Sequence, residues 1–496
     1  MPTQRISAAA VIDRIVDSDS FATWDTEPLT VAADAAYTAS LHRATERAGT
    51  DESVVTGEGL IAGNRVAIIA CEFAFLGGSI GVAAAERITA AIERATAQQL
   101  PLIASPTSGG TRMQEGTVAF LQMVKIAAAV QLHKDAHLPY LAYLRDPTTG
   151  GVFASWGSLG HITFAQPGAL IGFLGPRVYE ALYGEEFPPG VQTAENLYRR
   201  GIVDGVLNPK DLRAVLIRAL RVLGPAAPAP EFEPATTEIA DVPAWQSVML
   251  SRRLDRPGIR QLLEASATDL VPLSGTGQGE TEGSMVLALA RFHGQPAIVL
   301  GQDRVGQTAL TPLGPGALRE ARRGMRLAQE LRLPLVLVID TFGAALSQEA
   351  EEGGLAPEIA RCVAELVTLR TPTVSLLLGQ GTGGGALALL PADRVLCAQH
   401  GWLAPLPPEG ASAIMHRDTT HAPQMAAAQG IRSRDLLRDG IVDAIVPEFP
   451  DAAVEPAEFS ARAGRAIARE LTGLAAVEPA DRIAARLARY RRLGLQ

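Results

Sequence analysis

The sequence repeats itself, and this repeat constrains the possible folds more than any other feature. Residues 333–341 (LPLVLVIDT) match residues 100–108 (LPLIASPTS), and their prolines, Pro101 and Pro334, define a repeat offset of 334 − 101 = 233 in residue number. Three further matches follow the same order along the chain: 296–300 with 65–71, 313–316 (LGPG) with 76–79 (LGGS), and 439–445 (DGIVDAI) with 200–206 (RGIVDGV). Long internal repeats indicate duplicated structural units. The chain is therefore predicted to be a tandem duplication.

Each half alternates strand-like and helix-like segments. In the first half, the apolar run 65–71 precedes Ile88, Ile92 and Ala95 at helical spacing, and the apolar run 100–105 follows. This alternation predicts an α/β fold with largely parallel sheets. Residues 224–244 carry five prolines and little apolar periodicity, which is typical of a semi-rigid linker. We predict domains at 1–222 and 247–496, joined by a Pro-rich linker at 223–246.

Size and composition exclude several classes of protein. A chain of 496 residues is too long for one ordinary core. The net charge of -9 and the lack of a basic tract argue against a nucleic-acid partner. No apolar run reaches membrane-spanning length and no signal peptide is recognisable, so we expect a cytoplasmic protein without membrane association. Three dispersed cysteines make neither a disulfide framework nor a metal clip, and no metal is expected.

Two glycine-rich turns are the candidate sites. Residues 146–155 (DPTTGGVFAS) follow the apolar run 138–144, and residues 379–390 (GQGTGGGALALL) follow the apolar run 373–378. Glycine permits positive φ and a close approach, and a helix that begins there directs unpaired N–H groups into the turn. Such donors stabilise the negative charge that develops on oxygen when a thioester or ureido group reacts, without any charged catalytic side chain. The sequence therefore predicts two oxyanion-binding sites.

Other interpretations of the same glycines are weaker. Residues 77–81 fit the G-x-S-x-G nucleophile motif, but Ser79 corresponds to Gly316 in the other half, which favours a helix N-cap. Residues 379–384 fit a dinucleotide fingerprint, but no carboxylate follows about 20 residues later. A single glycine turn would be explained by packing alone. Four acids after the glycine loops either bind substrate or cap helices: Glu115, Glu349, Glu351 and Glu352.

Longer motifs resemble one enzyme family. The first half, in 105–116 (SPTSGGTRMQEG) and 146–160 (DPTTGGVFASWGSLG), resembles the β subunit of bacterial acetyl-CoA carboxylase carboxyltransferase. The second half, in 339–354 (IDTFGAALSQEAEEGG) and 378–395 (LGQGTGGGALALLPADRV), resembles the α subunit. The resemblance implies a tandem duplication of crotonase-like (ClpP/crotonase) domains. It also implies that an N-terminal-type domain binds acyl-CoA and a C-terminal-type domain binds carboxybiotin.

The resemblance carries roles onto particular residues. Oxyanion donors for the thioester are implied at Gly150 and Gly151, and donors for the biotin ureido oxygen at Gly385 and Ala386. The implied reaction transfers a carboxyl group from carboxybiotin to acetyl-CoA or propionyl-CoA, giving malonyl-CoA in fatty acid synthesis. Substrate-binding roles are implied at Gly109, Gly110, Arg112, Gly343, Ala344 and Gly384.

The same resemblance implies partners. The chain has neither a biotinyl Met-Lys motif nor an ATP-grasp-like domain, so biotin carboxyl carrier protein and biotin carboxylase are expected on separate chains. No cofactor is expected to be bound covalently, and a homodimer or higher homo-oligomer with shared sites is expected.

Two departures from the family keep alternatives open. The four-cysteine zinc ribbon of the β subunit is lacking, and residues 340–347 read DTFGAALS where the α subunit has DTPGAYPG. The alternatives are a fusion of malonate decarboxylase β- and γ-type subunits, or a non-catalytic carboxyltransferase-like subunit.

Overall fold

The structure, a computed structural model, describes residues 5–228, 239–308 and 311–495, with only the backbone described at Pro176 and Arg177. The described residues form two compact units. The first contains the residues up to Leu220 together with Gly277–Gly279, and the second contains those of Arg221–Thr276 and Glu280–Gln496.

The first unit is built on a seven-stranded sheet with the order β1-β2-β3-β4-β5-β7-β9, and β6 pairs separately with β8. Strands β3, β4, β5, β7 and β9 run parallel, while β1, β2 and β3 pair antiparallel. The strands are β1 (Ala22–Thr23), β2 (Val54–Ile61), β3 (Asn64–Cys71), β4 (Leu102–Ser105), β5 (Tyr140–Leu144), β6 (Thr148–Thr149), β7 (Ile162–Ala165), β8 (Ile171–Gly172) and β9 (Gly205–Val206).

Helices cover this sheet and complete its core. The core brings the apolar faces of β3 and β4 against α3 and α4, with Tyr140 and Trp156 among its largest members. The helices are α1 (Ala8–Ile15), α2 (Ala35–Ala48), α3 (Val82–Ala97), α4 (Gly116–Asp135), α5 (Pro176–Tyr183), α6 (Ala194–Arg199) and α7 (Leu212–Leu223).

The second unit has the same plan. Its sheet order is β10-β11-β12-β13-β14-β15-β17, with β16 pairing to the end of β14. The strands are β10 (Ala267–Leu273), β11 (Met285–Phe292), β12 (Gln295–Gln302), β13 (Leu335–Thr341), β14 (Thr373–Thr382), β15 (Arg394–Ala398), β16 (Trp402–Ala404) and β17 (Ala444–Val446). Strands β12 and β13 are buried along their whole length, as expected for parallel strands covered on both faces.

The helices of the second unit pack on this sheet, and α9 and α17 close its main core. They are α8 (Ala244–Ser251), α9 (Ile259–Ser266), α10 (Pro315–Glu330), α11 (Gln348–Glu352), α12 (Leu355–Val367), α13 (Gly383–Leu387), α14 (Pro408–His416), α15 (Ala422–Ala428), α16 (Ser433–Arg438), α17 (Pro456–Ala475) and α18 (Pro479–Arg492).

The two sheets reproduce the repeat offset of the sequence. Helices α3 and α10 begin and end at residue numbers that differ by this offset, and the first residues of β4 and β13 differ by the same amount. Strands β3 and β12, which precede them, are related by nearly the same offset. The predicted tandem duplication of an α/β domain is confirmed by this common topology.

The predicted linker at 223–246 is only partly described. Residues 229–238 lie outside the described residues, and helix α8 begins at Ala244, so the linker ends earlier than the prediction placed it. Across the residues that the structure describes, no helix has the length and apolar character needed to cross a bilayer.

Candidate active site

In the first unit, two loops meet beyond the carboxyl ends of β4 and β5. The Thr149 amide donates to the Ser108 carbonyl over 3.0 Å, which ties the loop after β5 to the loop after β4. Gly110 and Gly150 have φ angles of +114° and +64°, and a Cβ added at Gly150 would lie 3.2 Å from the Gly110 Cα. Both positions therefore require glycine for their backbone conformation, and Gly150 requires it for space as well.

Some amides in these loops already donate to an acceptor within the protein, and others do not. The Gly109 amide donates to Gly77 O over 2.9 Å, and the Gly110 amide donates to Ser108 Oγ over 3.0 Å. The Gly150 amide donates to Gly172 O over 3.2 Å, because β6 pairs with β8. These three predicted residues shape the loops, and their amides are not available to a substrate.

Two other amides of the same loops remain open. Within the described residues, the amides of Gly151 and Thr111 have no hydrogen-bond acceptor. A Cβ at Gly151 would lie 3.2 Å from Thr111 Oγ1, so the two residues are neighbours. Gly151 was predicted as a donor, whereas Thr111 was missed. The repeat offset could have found it, because that offset aligns Thr111 with the predicted Ala344.

Arg112 is not placed to bind a substrate. Its side chain is 1% exposed, and its guanidinium donates to Glu52 Oε2 over 2.9 Å and to Ser79 O over 2.9 Å. Burial alone would lower the pKa of Arg112, but the hydrogen bonds and charge of Glu52 raise it overall. The family motif implied contact with a substrate, yet the guanidinium of Arg112 is directed into the protein.

Glu115 takes the capping role that the sequence assigned to Ser79. The N-cap of α3 is Gly81, and the Glu115 carboxylate accepts the Val82 amide over 2.6 Å. Tyr37 also donates its hydroxyl to Glu115, and burial together with this bond raises the pKa of Tyr37 to about 12. A carboxylate at a helix N-terminus is favoured by the helix dipole. The prediction for Ser79 was wrong, because a residue distant in sequence supplies the cap.

The second unit rebuilds this arrangement beyond β13 and β14. The Gly343 amide donates to Thr341 Oγ1 over 3.1 Å, as the Gly110 amide does to Ser108 Oγ, and the two bonds are related by the repeat offset. Gly343 has a φ of +132°. The Ala345 amide donates to Leu313 O over 2.9 Å, which repeats the bond from the Arg112 amide to Ile80 O. The loop after β13 is thus a structural copy of the loop after β4.

Helix α13 supplies the donors of the second turn. Thr382 is its N-cap, so the amides of Gly384 and Gly385 precede the first intrahelical hydrogen bond, and neither has an acceptor elsewhere among the described residues. The Ala386 amide is the first that the helix itself satisfies. Of the predicted catalytic pair Gly385–Ala386, Gly385 therefore has the open donor, and Gly384 adds a second.

The Ala344 amide lies beside this helix start. A Cβ added at Gly385 would lie 3.5 Å from the Ala344 nitrogen, which has no acceptor in the portion of the chain that is described. Gly383 has a φ of +62° and is related by the repeat offset to Gly150, whose φ is +64°. The structural counterparts of Gly150 and Gly151 are therefore Gly383 and Gly384, which precede the pair that the resemblance implied.

The side chains that commonly bind metals or act as thiol nucleophiles are dispersed or buried in the described residues. They contain no cluster of three or more His, Cys, Asp or Glu side chains able to hold a metal. Cys71, Cys362 and Cys397 are all buried, and burial raises the pKa of Cys71 to about 11 and that of Cys362 to about 12. The chemistry that this arrangement supports is charge stabilisation by backbone amides.

Both units present free amides beyond two adjacent parallel strands, as expected for the duplicated crotonase-like fold that the family resemblance implied. Solved structures agree on the fold. Transcarboxylase 12S aligns with a TM-score of 0.76 and 19% identity, covering 95% of this chain and 89% of that chain. A single-chain, multi-domain long-chain acyl-CoA carboxylase aligns with a TM-score of 0.73 and 17% identity, covering 94% of this chain and 46% of that one. The predicted fold class is confirmed.

The chain belongs to the carboxyl transferase domain family, which matches residues 4–482. It is 66% identical over 492 residues to the probable biotin-dependent acyl-coenzyme A carboxylase beta3 subunit of Mycobacterium tuberculosis (strain ATCC 25618 / H37Rv), with 99% of each chain covered. It is 37% identical to the acetyl-coenzyme A carboxylase carboxyl transferase subunits beta/alpha of Salinispora arenicola (strain CNS-205), covering 99% of this chain and 91% of that relative. The family resemblance predicted from the motifs is confirmed.

Proposed function

We propose that this chain is the carboxyltransferase subunit of a biotin-dependent acyl-CoA carboxylase. Family membership and the names of its relatives support this function. The observation that carries the proposal is the pair of open amide sites, Gly151 with Thr111 in the first unit and Gly384 and Gly385 with Ala344 in the second, which lie in corresponding turns of the two units. Two such sites suit a reaction in which two different oxygens gain negative charge.

The first site suits a thioester. Removing a proton from the carbon next to a thioester carbonyl moves negative charge onto the carbonyl oxygen. Amides fixed toward that oxygen stabilise the charge at the moment it forms, and losing one such donor costs about 10²–10³ in rate. The Gly151 and Thr111 amides would supply these donors, while Gly109, Gly110 and Gly150 hold the loops in position.

The second site fits the ureido oxygen of biotin. When presented by its carrier, carboxybiotin supplies the activated carboxyl group for the transfer. The open amides of Gly384, Gly385 and Ala344 would hold the ureido oxygen. This assignment moves the donors from the implied pair Gly385–Ala386 toward the start of α13.

The acceptor is proposed to be acetyl-CoA or propionyl-CoA, which makes malonyl-CoA for fatty acid synthesis the expected product from acetyl-CoA. Biotin carboxyl carrier protein and biotin carboxylase are proposed as separate partners. No covalently bound cofactor is proposed for this chain.

Exposed apolar residues beside both sites support a homo-oligomer. Met113 is 82% exposed and Leu346 is 97% exposed, and these residues occupy equivalent positions in the two copied loops. On α4, Val118, Leu121 and Val124 are exposed on one face. Exposed apolar patches mark interaction surfaces, and a second copy of the chain is the proposed occupant.

A reconstituted assay tests the function. The purified chain is mixed with the biotinylated carrier, biotin carboxylase, ATP and labelled bicarbonate, and label transfer is followed with acetyl-CoA, propionyl-CoA and longer acyl-CoAs. Transfer to at least one thioester is expected, and omission of the carrier should abolish it. Malonyl decarboxylation without biotin would support the decarboxylase alternative instead. A chain inactive in both reactions would support the non-catalytic alternative.

A further inference from the structure

A buried glutamine contacts the second glycine turn directly. Gln302, the last residue of β12, is 0% exposed. Its Nε2 donates to the Gly385 carbonyl over 2.7 Å, and its Oε1 accepts the Asp340 amide over 3.2 Å. One side chain therefore connects the end of β13 to the start of α13.

The Gly385 carbonyl depends on this glutamine. In a regular helix, that carbonyl would accept the Leu389 amide four residues later. Here the Leu389 amide donates to Ala386 O over 3.1 Å instead. A buried carbonyl without a partner is costly, so the side-chain amide of Gln302 replaces the missing helical bond. This contact holds the peptide group between Gly385 and Ala386, which directly follows the open amides of Gly384 and Gly385.

A second glutamine holds the facing loop. Gln307 Nε2 donates to Asp340 O over 3.0 Å, and Thr341 donates its hydroxyl to Gln307 Oε1 over 2.6 Å. Thr341 Oγ1 in turn accepts the Gly343 amide, next to Ala344. Both polar backbone groups of Asp340 are thus bound by glutamines, and the two sides of the candidate donor pair are fixed to one network.

The first unit shows that the fold does not need this network. The pairing register of β3 with β4, compared with that of β12 with β13, places Cys71 at the position equivalent to Gln302. Cys71 is buried, and no side-chain amide stands at its place to reach the first glycine turn. That turn is held by the bond from the Gly150 amide to Gly172 O. The same fold therefore forms in the first unit without a glutamine, which suggests that Gln302 serves more than folding.

We propose that Gln302 is a positioning residue for carboxyl transfer, which aims the amides at the start of α13 toward the ureido oxygen. This role rests on the function proposed above. Because Gln302 touches no reacting atom, its loss should reduce kcat and leave the KM for acyl-CoA close to that of the wild type.

Gln302→Met removes the donor while keeping the length of the side chain. Gln295→Met is the matched control, since Gln295 begins the same strand, is 5% exposed and donates its Nε2 to Ala227 O over 3.0 Å. A misplaced catalytic group costs about 10²-fold in rate, so that fall in kcat is expected for Gln302→Met alone. Equal kcat values for the two variants, at similar thermal unfolding midpoints, would overturn the positioning role.

Gln302→Glu supplies an independent test if the methionine variant does not fold. An ionised carboxylate cannot donate to the Gly385 carbonyl, whereas a protonated carboxyl can donate to it and still accept the Asp340 amide. Burial raises the pKa of such a carboxyl, so the activity of this variant relative to wild type should increase as the pH is lowered. A ratio that stays constant with pH would contradict the role. Absence of transfer by the wild type itself would refute the proposed function and this inference together.

Discussion

Gly150→Ala tests whether the close packing of the two glycine loops in the first unit serves the reaction. Gly150 has a φ of +64°, and forcing an L-residue into this conformation costs about 1–2 kcal/mol of unfolding free energy. The new Cβ would also lie 3.2 Å from the Gly110 Cα, so one loop must move by a few tenths of an ångström. That movement would displace the neighbouring Gly151 and Thr111 amides.

Gly49→Ala is the control that distinguishes the effect of backbone strain from the effect of displacing a loop. Gly49 has a φ of +68°, but no heavy atom lies within 4 Å of the position that its Cβ would take. Both variants should lower the thermal unfolding midpoint because they share the backbone strain, and Gly150→Ala should lower it further because of its close contact with Gly110. Only Gly150→Ala should lose kcat, by about 10²-fold, because misplaced donors no longer meet the developing charge.

The assay is carboxyl transfer at saturating acyl-CoA, with the unfolding midpoint measured on the same preparations. Gly150→Ala with wild-type kcat would show that the loops tolerate separation and that their contact is not functional. An equal loss of kcat in Gly49→Ala would show that strain anywhere in the unit reduces activity.

Three further outcomes are expected. Mixing inactive Gly151→Val chains with inactive Gly385→Val chains should restore about a quarter of wild-type activity, if two chains share each site and assort randomly. No recovery of activity after verified subunit exchange would place both turns in one chain. Arg112→Met leaves two buried carboxylates without their cation and should lower the free energy of unfolding by about 3–5 kcal/mol, measured by denaturant titration; a change below about 1 kcal/mol would contradict the assigned role. Burial alone would raise the pKa of Glu448, but its contact with Arg256 lowers that pKa overall. The ion pair therefore stabilises the fold at pH values above the unfolded pKa of about 4.3. This stabilisation is lost as the pH falls through the lower pKa of Glu448 in the folded protein. The unfolding midpoint of wild type should therefore fall more steeply than that of Glu448→Gln below about pH 4.3, and parallel curves would refute this assignment.

Much of the fold was predictable because its signals are local or periodic. The offset between Pro101 and Pro334 revealed the duplication, since each copy must bury the same faces of its own strands and helices. The glycines at 110, 150 and 343 adopt positive φ, as their positions in turns after strands indicated. Long family motifs identified the class of protein.

Only the tertiary structure could show whether each turn amide has a hydrogen-bond acceptor. Gly150 looked as suitable a donor as Gly151, but pairing between β6 and β8 gives its hydrogen to Gly172. The sequence favoured Ser79 as a helix N-cap, but the carboxylate of Glu115, which lies later in the chain, accepts the Val82 amide at the start of that helix. Arg112 belongs to a motif that implied contact with a substrate, yet its guanidinium binds Glu52, which lies in a distant, earlier part of the sequence.

Sequence by itself thus determined where the chain turns, which segments repeat as strands and helices, and which turn positions need glycine, because these depend on backbone conformation and apolar periodicity. The tertiary structure decided which of the turn amides stay open and which side chains hold them. A hydrogen bond saturates one donor with whichever acceptor the fold brings near, and for Gly150, Val82 and Gly385 the partner in that bond comes from another part of the chain.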